Sequence, residues 1–189
     1  MVARRPRRKF GASQKERIFL AALPDEATAA RIHALGETLA ARHGLTAAPI
    51  LPRHLHVTLF HLGDWQAVPE EVVRLARAAA GEVRAMPFEV SFARARSFRN
   101  RTGVFPFVLT GDAKQWRALY GALAATLKSA GLGGATQGAF EPHVTLAYDA
   151  VRVAPHAVDP IRWTVRDFVL VHSRLGKTEH AHLGRWALA

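Results

Sequence analysis

The sequence predicts an α+β fold: two pseudo-symmetric lobes of antiparallel sheet, helices on the outer faces, and a central cleft between them. Three observations predict it. The tetrapeptide His56-Val57-Thr58-Leu59 returns 87 residues later as His143-Val144-Thr145-Leu146. Each copy has the β-branched and apolar composition of a short strand, and each follows a stretch with helical periodicity. The elements run strand, helix, histidine strand, helix, then hairpin, helix, histidine strand and closing strands. That order reads as a weak internal duplication, too long in period for a solenoid repeat.

Residues 1–15 read as a disordered basic arm ahead of a single bilobal domain over 16–189. Arg17 to Leu23 is the first strand, stopped by Pro24. Asp25 is placed to cap a helix carrying Ile32, Leu35 and Leu39 on one stripe and ending near Gly44. The first histidine strand follows, and Gly63-Asp64 is expected to close it. Pro69-Glu70-Glu71 opens a second helix, with Val72, Leu75, Ala76 and Ala79 on one face and Gly81 after it. Residues 88–98 and 104–110 form two strands about a turn at Asn100 to Gly103. Asp112 is expected to cap a third helix, whose Trp116, Leu119, Tyr120, Leu123 and Leu127 pack into a core. Gly131, Gly133, Gly134 and Gly138 make a loop before the second histidine strand. Arg162 to Ser173 and His182 to Leu188 close the chain as two more strands.

Composition narrows the function classes. At 189 residues and 49% hydrophobic, the chain is long enough for a sizeable core and excludes wholesale disorder. The absence of cysteine excludes disulfides, thiolate catalysis and cysteine zinc sites. The net charge is +11, but seven of the Lys and Arg residues, with one Glu, fall within residues 1–17. The body is therefore only mildly basic, with a preference for polyanionic partners. No stretch approaches the roughly 20 apolar residues of a membrane helix, so no membrane partner is expected. Arg7-Arg8-Lys9-Phe10 resembles a twin-arginine export signal, but Lys15, Glu16 and Arg17 interrupt its apolar region, and a cytoplasmic location is expected.

Strand alternation puts His56 and Thr58 on one face, with Leu55, Val57 and Leu59 on the other. It likewise puts His143 and Thr145 on one face, with Val144, Leu146 and Tyr148 opposite. Two such strands side by side offer two proton-transfer groups and two hydroxyl donors around one small site, an arrangement suited to phosphoester chemistry without a metal. His54 and His56, then His180 and His182, stand at metal-ligand spacing with His61 nearby. No carboxylate completes a ligand pattern, so no metal and no cofactor are expected, and His54, His61 and the C-terminal histidines are read as surface or supporting groups. Arg94, Arg96, Arg99 and Arg101, with Phe98 among them, are either a grip for phosphates and a base or a solvated basic hairpin.

With both motifs in place, the chain resembles the 2H phosphoesterase superfamily. Within it the resemblance is to the bacterial RNA 2′,3′-cyclic phosphodiesterases, also called 2′-5′ RNA ligases. Arg17 to Pro24 (RIFLAALP) is similar to the family's opening strand and proline. Leu55 to Gly63 (LHVTLFHLG) and Phe140 to Ala147 (FEPHVTLA) are similar to its two motifs. The likeness covers most of residues 17–189; the basic arm and the 94–101 segment have no counterpart in it. The resemblance implies that His56 is the proton donor, that His143 is the proton acceptor, and that Thr58 and Thr145 bind the phosphate. The motif itself is symmetric, so the division of roles rests on the resemblance. It implies a substrate that is RNA with a 2′,3′-cyclic phosphate end or a cyclic nucleotide, opened to a 2′-phosphomonoester, with weak 2′-5′ ligation as a side activity. The protein is expected to act as a monomer. An RNA-end-binding module without turnover, and a phosphodiesterase of a small nucleotide-derived substrate, remain the alternatives.

Overall fold

The structure, a computed structural model, describes residues 15–136, 140–177 and 179–189. The expected basic arm lies outside them apart from Lys15, whose carbonyl accepts from the Leu175 N–H at 3.0 Å. Gly138 of the expected loop also lies outside. After strand β1 (Glu16–Ala22), Asp25 caps helix α1 (Glu26–His43), its carboxylate accepting from the Thr28 N–H at 2.8 Å. Gly44 ends that helix at φ 64, a left-handed conformation that glycine adopts without steric cost. A 3₁₀ turn over Pro52–His54 precedes strand β2 (Val57–Trp65). His56 therefore sits just ahead of its strand, and Gly63-Asp64 lies inside the strand rather than ending it. Helix α2 (Glu70–Gly81) buries Ala76, Ala79 and Ala80, and β3 (Phe88–Ser97) pairs with β4 (Phe105–Gly111) as a hairpin.

Two further expectations are corrected. Asp112 caps a turn, taking the Lys114 N–H at 2.8 Å, and helix α3 (Arg117–Ser129) begins only after Trp116. The segment Arg162 to Ser173 is not one strand. It is the end of β6 (His156–Val165) and most of β7 (Asp167–Arg174), with the chain reversing at Arg166; β8 (Glu179–Ala187) follows. The second histidine strand, β5 (His143–Asp149), is as expected.

Among the described residues, the eight strands form one antiparallel sheet in the order β6-β3-β4-β5-β2-β1-β7-β8. The two predicted lobes are its four-stranded halves. They meet where β2 lies beside β5, through a single register pair, Val57 with Val144. Continuing that antiparallel register one residue each way sets His56 against Thr145 and Thr58 against His143. Alternation then puts both His-Thr pairs on one face of the sheet and both valines in the core beneath it.

The helices cover the other face by exchange. α1, between β1 and β2, lies on β5 and β6 of the opposite half, with His43 against Phe107 and Gly36 against Leu146. α3, between β4 and β5, lies on β2, where Tyr120 stacks on Phe60 at 4.4 Å between centroids. One apolar core runs through both halves, with Trp116, Phe60, Phe92, Phe107 and Phe168 fully enclosed. None of these helices is long and apolar enough to cross a membrane.

Asp149, at the end of β5, ties down the connection after α1. Its buried carboxylate accepts the N–H groups of Val151, Ala47 and Thr46 at 2.7–2.8 Å, and these bonds hold its pKa below the ordinary carboxylate range. Removing the N-cap in Asp25→Ala should cost about 1 kcal/mol in urea unfolding. Asp149→Ala leaves several backbone donors unpaired at once, so it should lower the unfolding midpoint further than the cap variant does. A smaller effect at Asp149 would show that water replaces it.

Candidate active site

Each histidine strand carries a bulge immediately after its threonine. In β2, Thr58 pairs with Ala21 and Phe60 with Leu20, leaving Leu59 as the extra residue. In β5, Thr145 pairs with Val108 and Ala147 with Phe107, leaving Leu146 extra. A bulge shifts the alternation by one. Three residues past each threonine, His61 and Tyr148 therefore face the cleft. This corrects the placement of Tyr148 on the apolar side: Ala147 is buried in its stead, and Tyr148 is 53% exposed on the cleft wall.

The cleft has a volume of about 520 Å³ and brings His56, Thr58, His143 and Thr145 together. The two imidazoles are held alike. His56 Nδ1 donates to the His54 carbonyl at 2.7 Å, and His143 Nδ1 donates to the Glu141 carbonyl at 2.8 Å. With Nδ1 committed as a donor, the neutral ring keeps its lone pair on Nε2, so Nε2 is the atom free to take or give a proton. A phenylalanine braces each ring: Phe19 lies 4.9 Å from His56, and Phe98 lies edge-on 4.8 Å from His143.

The surroundings then diverge. His56 packs beside His180 at 5.8 Å between centroids, and His180 packs edge-on against His54 at 4.7 Å. Burial pushes the His56 pKa down; the bond to the His54 carbonyl opposes this, and neighbouring His143, His54 and Arg17 reinforce it. Burial, aided by His56, His54 and His182, drives His180 to about 4. On the other side, Glu141 turns its carboxylate to Arg96, whose guanidinium lies 5.0 Å over the Phe98 ring. Arg17 reaches the cleft from β1, forked onto Asp64 at 2.7 and 2.8 Å, and Asp64 also accepts from His61 at 2.8 Å. The Arg17 bond holds the Asp64 carboxyl far below the usual range.

All four site residues expected from the sequence share the cleft. His54, His61 and His180, read as surface or supporting groups, also line it, whereas Arg17, Phe19 and Tyr148 were not expected there. Among the described residues, no group of three or more His, Asp or Glu is arranged to hold a metal. The arrangement provides two Nε2 atoms for proton transfer and two hydroxyls for an anion, with one half of the site supplied by each half of the sheet.

A model of the 2′-5′ RNA ligase superfamily matches residues 23–177. The chain belongs to that superfamily. Its fold is that of other 2H phosphoesterases. TT0787 of Thermus thermophilus superimposes with a TM-score of 0.72 at 25% identity, over 91% of this chain and 97% of that one. Escherichia coli LigT complexed with NADP⁺ gives a TM-score of 0.65 at 27% identity, over 92% and 98%. LigT complexed with 3′-AMP gives 0.66 at 25%, over 93% and 99%. No curated protein sequence matches the chain significantly. As a 2H phosphoesterase, the protein belongs with enzymes of phosphoester chemistry on RNA or nucleotides.

The imidazole cluster carries a pH signature. His180 titrates near 4 in the fold and near 6.5 unfolded, so between those values the unfolded chain binds the extra proton. Stability should therefore fall as pH drops from about 6.5 toward 4. Urea unfolding across that range should show a shallower loss for His180→Phe, which keeps a ring beside Phe19 and His54. Equal slopes in the two proteins would show that His180 is not held neutral.

Proposed function

We propose that the protein hydrolyses RNA 2′,3′-cyclic phosphate ends, or cyclic nucleotides, to 2′-phosphomonoesters, with His143 as general base and His56 as general acid. The observation that carries this reading is the matched pair of imidazoles. Each is pinned through Nδ1, stands beside a threonine, and faces one cleft from its own half of the sheet. His143 Nε2 takes a proton from water as the water oxygen bonds to phosphorus. The bond from phosphorus to the 3′ oxygen breaks, and His56 Nε2–H protonates the departing oxygen. Thr58 and Thr145 donate to the non-bridging oxygens, where charge accumulates in the transition state. Two imidazoles complete this proton account, so the reaction is read as independent of metal and cofactor. With the 5′ hydroxyl of a second RNA in place of water, the same steps form a 2′-5′ phosphodiester as the bond from phosphorus to the 3′ oxygen breaks, and the family name supports such ligation as a weak side activity.

The histidine variants test the reading. General acid–base groups contribute about 10²–10⁴-fold, so His56→Ala and His143→Ala should each lose that much turnover of a 2′,3′-cyclic nucleotide, with circular dichroism confirming the fold. The double variant should be little worse than the poorer single one, because the pair acts as a unit. Full activity in either folded single variant would remove the mechanism. A wild type that binds cyclic-phosphate ends without turnover would make the protein an RNA-end-binding module. Phosphorus NMR of the product should show a 2′-phosphate; a 3′-phosphate would mean that the ring opens on its other side.

The depressed His56 pKa gives a second expectation. As the acid, His56 must be protonated, and that form is lost as pH rises through its pKa. In the empty cleft this happens below the ordinary imidazole value. A bound phosphate anion favours the imidazolium and moves the loss upward. The alkaline limb of kcat should therefore lie at higher pH than that of kcat/KM, and coincident limbs would contradict His56 as the acid.

A further inference from the structure

The arginines of the β3–β4 hairpin continue the cleft. A bulge at Ala93 shifts the alternation of β3, so that Val90 and Phe92 are buried before it and Ala95 and Ser97 after it. Arg94 and Arg96 are thereby turned to the other face, and the ladder shows which face that is. Arg94 pairs with Thr110, which pairs with His143; Arg96 pairs with Val108, which pairs with Thr145. Paired residues share a face, so both arginines stand on the face of His143 and Thr145, two strands or roughly 10 Å away.

The hairpin tip follows β3 with two more exposed arginines, Arg99 and Arg101. Asn100 accepts the Thr102 N–H at 3.0 Å and donates to the Val104 carbonyl at 3.0 Å, fixing the turn that presents Arg99 and Arg101. Arg94, Arg99 and Arg101 are exposed and make no ion pair or hydrogen bond among the described residues. Glu141 is the carboxylate beside the row, and Arg96 neutralises it. Held between Glu141 and Phe98, the Arg96 guanidinium is a braced cationic surface of the kind on which an unstacked base rests.

We propose that this face of the β3–β4 hairpin is a track for single-stranded RNA, along which the chain leading to the cyclic phosphate is laid. The occupant is RNA rather than a mononucleotide because the hairpin offers three exposed arginines beyond the cleft, more cations than the single phosphate of a nucleotide held between His56 and His143 can engage. It is single-stranded because the end must enter the cleft and a base must be free to meet Arg96. Arg96 supplies the base platform, and Arg94, Arg99 and Arg101 supply three phosphate contacts. This inference rests on the reading of the cleft as an RNA-end site.

The test compares a 2′,3′-cyclic mononucleotide with a decanucleotide carrying the same end, using the full chain. Three phosphate contacts on a single strand steepen the salt dependence by about 2 in log–log slope, so the wild type's preference in kcat/KM for the decanucleotide should fall roughly 20-fold between 50 and 200 mM salt. In Arg94→Ala/Arg99→Ala/Arg101→Ala that preference should fall at low salt and its log–log salt slope should be shallower by about 2, and the corresponding triple lysine variant should restore both. The basic arm is present in every protein compared, so its share of the decanucleotide preference is common to all and cancels in the difference between variant and wild type. A preference unchanged in the alanine variant overturns the track. If the wild type turns over neither substrate, the reading of the cleft fails instead. The track is then decided by fluorescence anisotropy of the labelled decanucleotide: weaker binding and a shallower salt slope in the alanine variant support it, and identical binding overturns it.

Discussion

A single antiparallel pair, Val57 with Val144, holds the two halves of the sheet edge to edge, and the site exists because of it. Place these two residues opposite each other and the rest follows from alternation. The neighbours on either side, His56 with Thr145 and Thr58 with His143, face the same way around a local two-fold axis. A slip of one residue would send one motif into the core. One pair of residues is a weak joint, so the register is secured from behind. α1 and α3 each cross to the opposite half, and Ile50 and Asp149 bind the chain after α1 to β5. The apolar core beneath is continuous across the joint, and this resists slippage far better than the backbone bonds at the joint itself.

The site is symmetric in what it presents and asymmetric in what surrounds it. His56 is partly buried and flanked by other imidazoles, and both favour its neutral form. His143 stands beside an ion pair of Arg96 and Glu141. Pairs of titratable groups placed in contrasting environments are how one site performs both acid and base work. In the proposed mechanism the substrate's own negative charge completes the contrast, because it arrives at an imidazole that only an anion makes readily protonated.

Much of this was legible before any coordinates. The tetrapeptide repeats, Asp25, Gly44 and the helical stripes report local preferences, and the structure keeps them. The less legible parts share one physical cause. Tyr148 and His61 reach the cleft only because Leu59 and Leu146 are bulged, and a bulge leaves no mark in a sequence read with a period of two. Arg17, Phe19 and His180 enter from strands remote in sequence, and their place depends on the pairing of β1 with β7 and β7 with β8. The turn at Arg166 carries no Gly or Pro, so two strands read as one. Asp112 takes the Lys114 N–H, and two tight turns closed by the Trp116 and Arg117 N–H groups intervene before the helix begins.

The threading of the chain also dictates the order in which the molecule can be completed. β1, the first strand, pairs on one side with β2 and on the other with β7, some 150 residues later: Ile18 meets both Gly63 and His172. During synthesis the N-terminal half must wait with an open strand edge until the C-terminus emerges, because domains form as their segments become available. α1 meanwhile has nothing to cover until β5 and β6 arrive, so neither half of the chain is a self-sufficient folding unit. Such distant pairings make for slow folding. His180, on the last strand, packs beside the ring of His56, so the His56 side of the cleft is completed only when the C-terminal strand is in place.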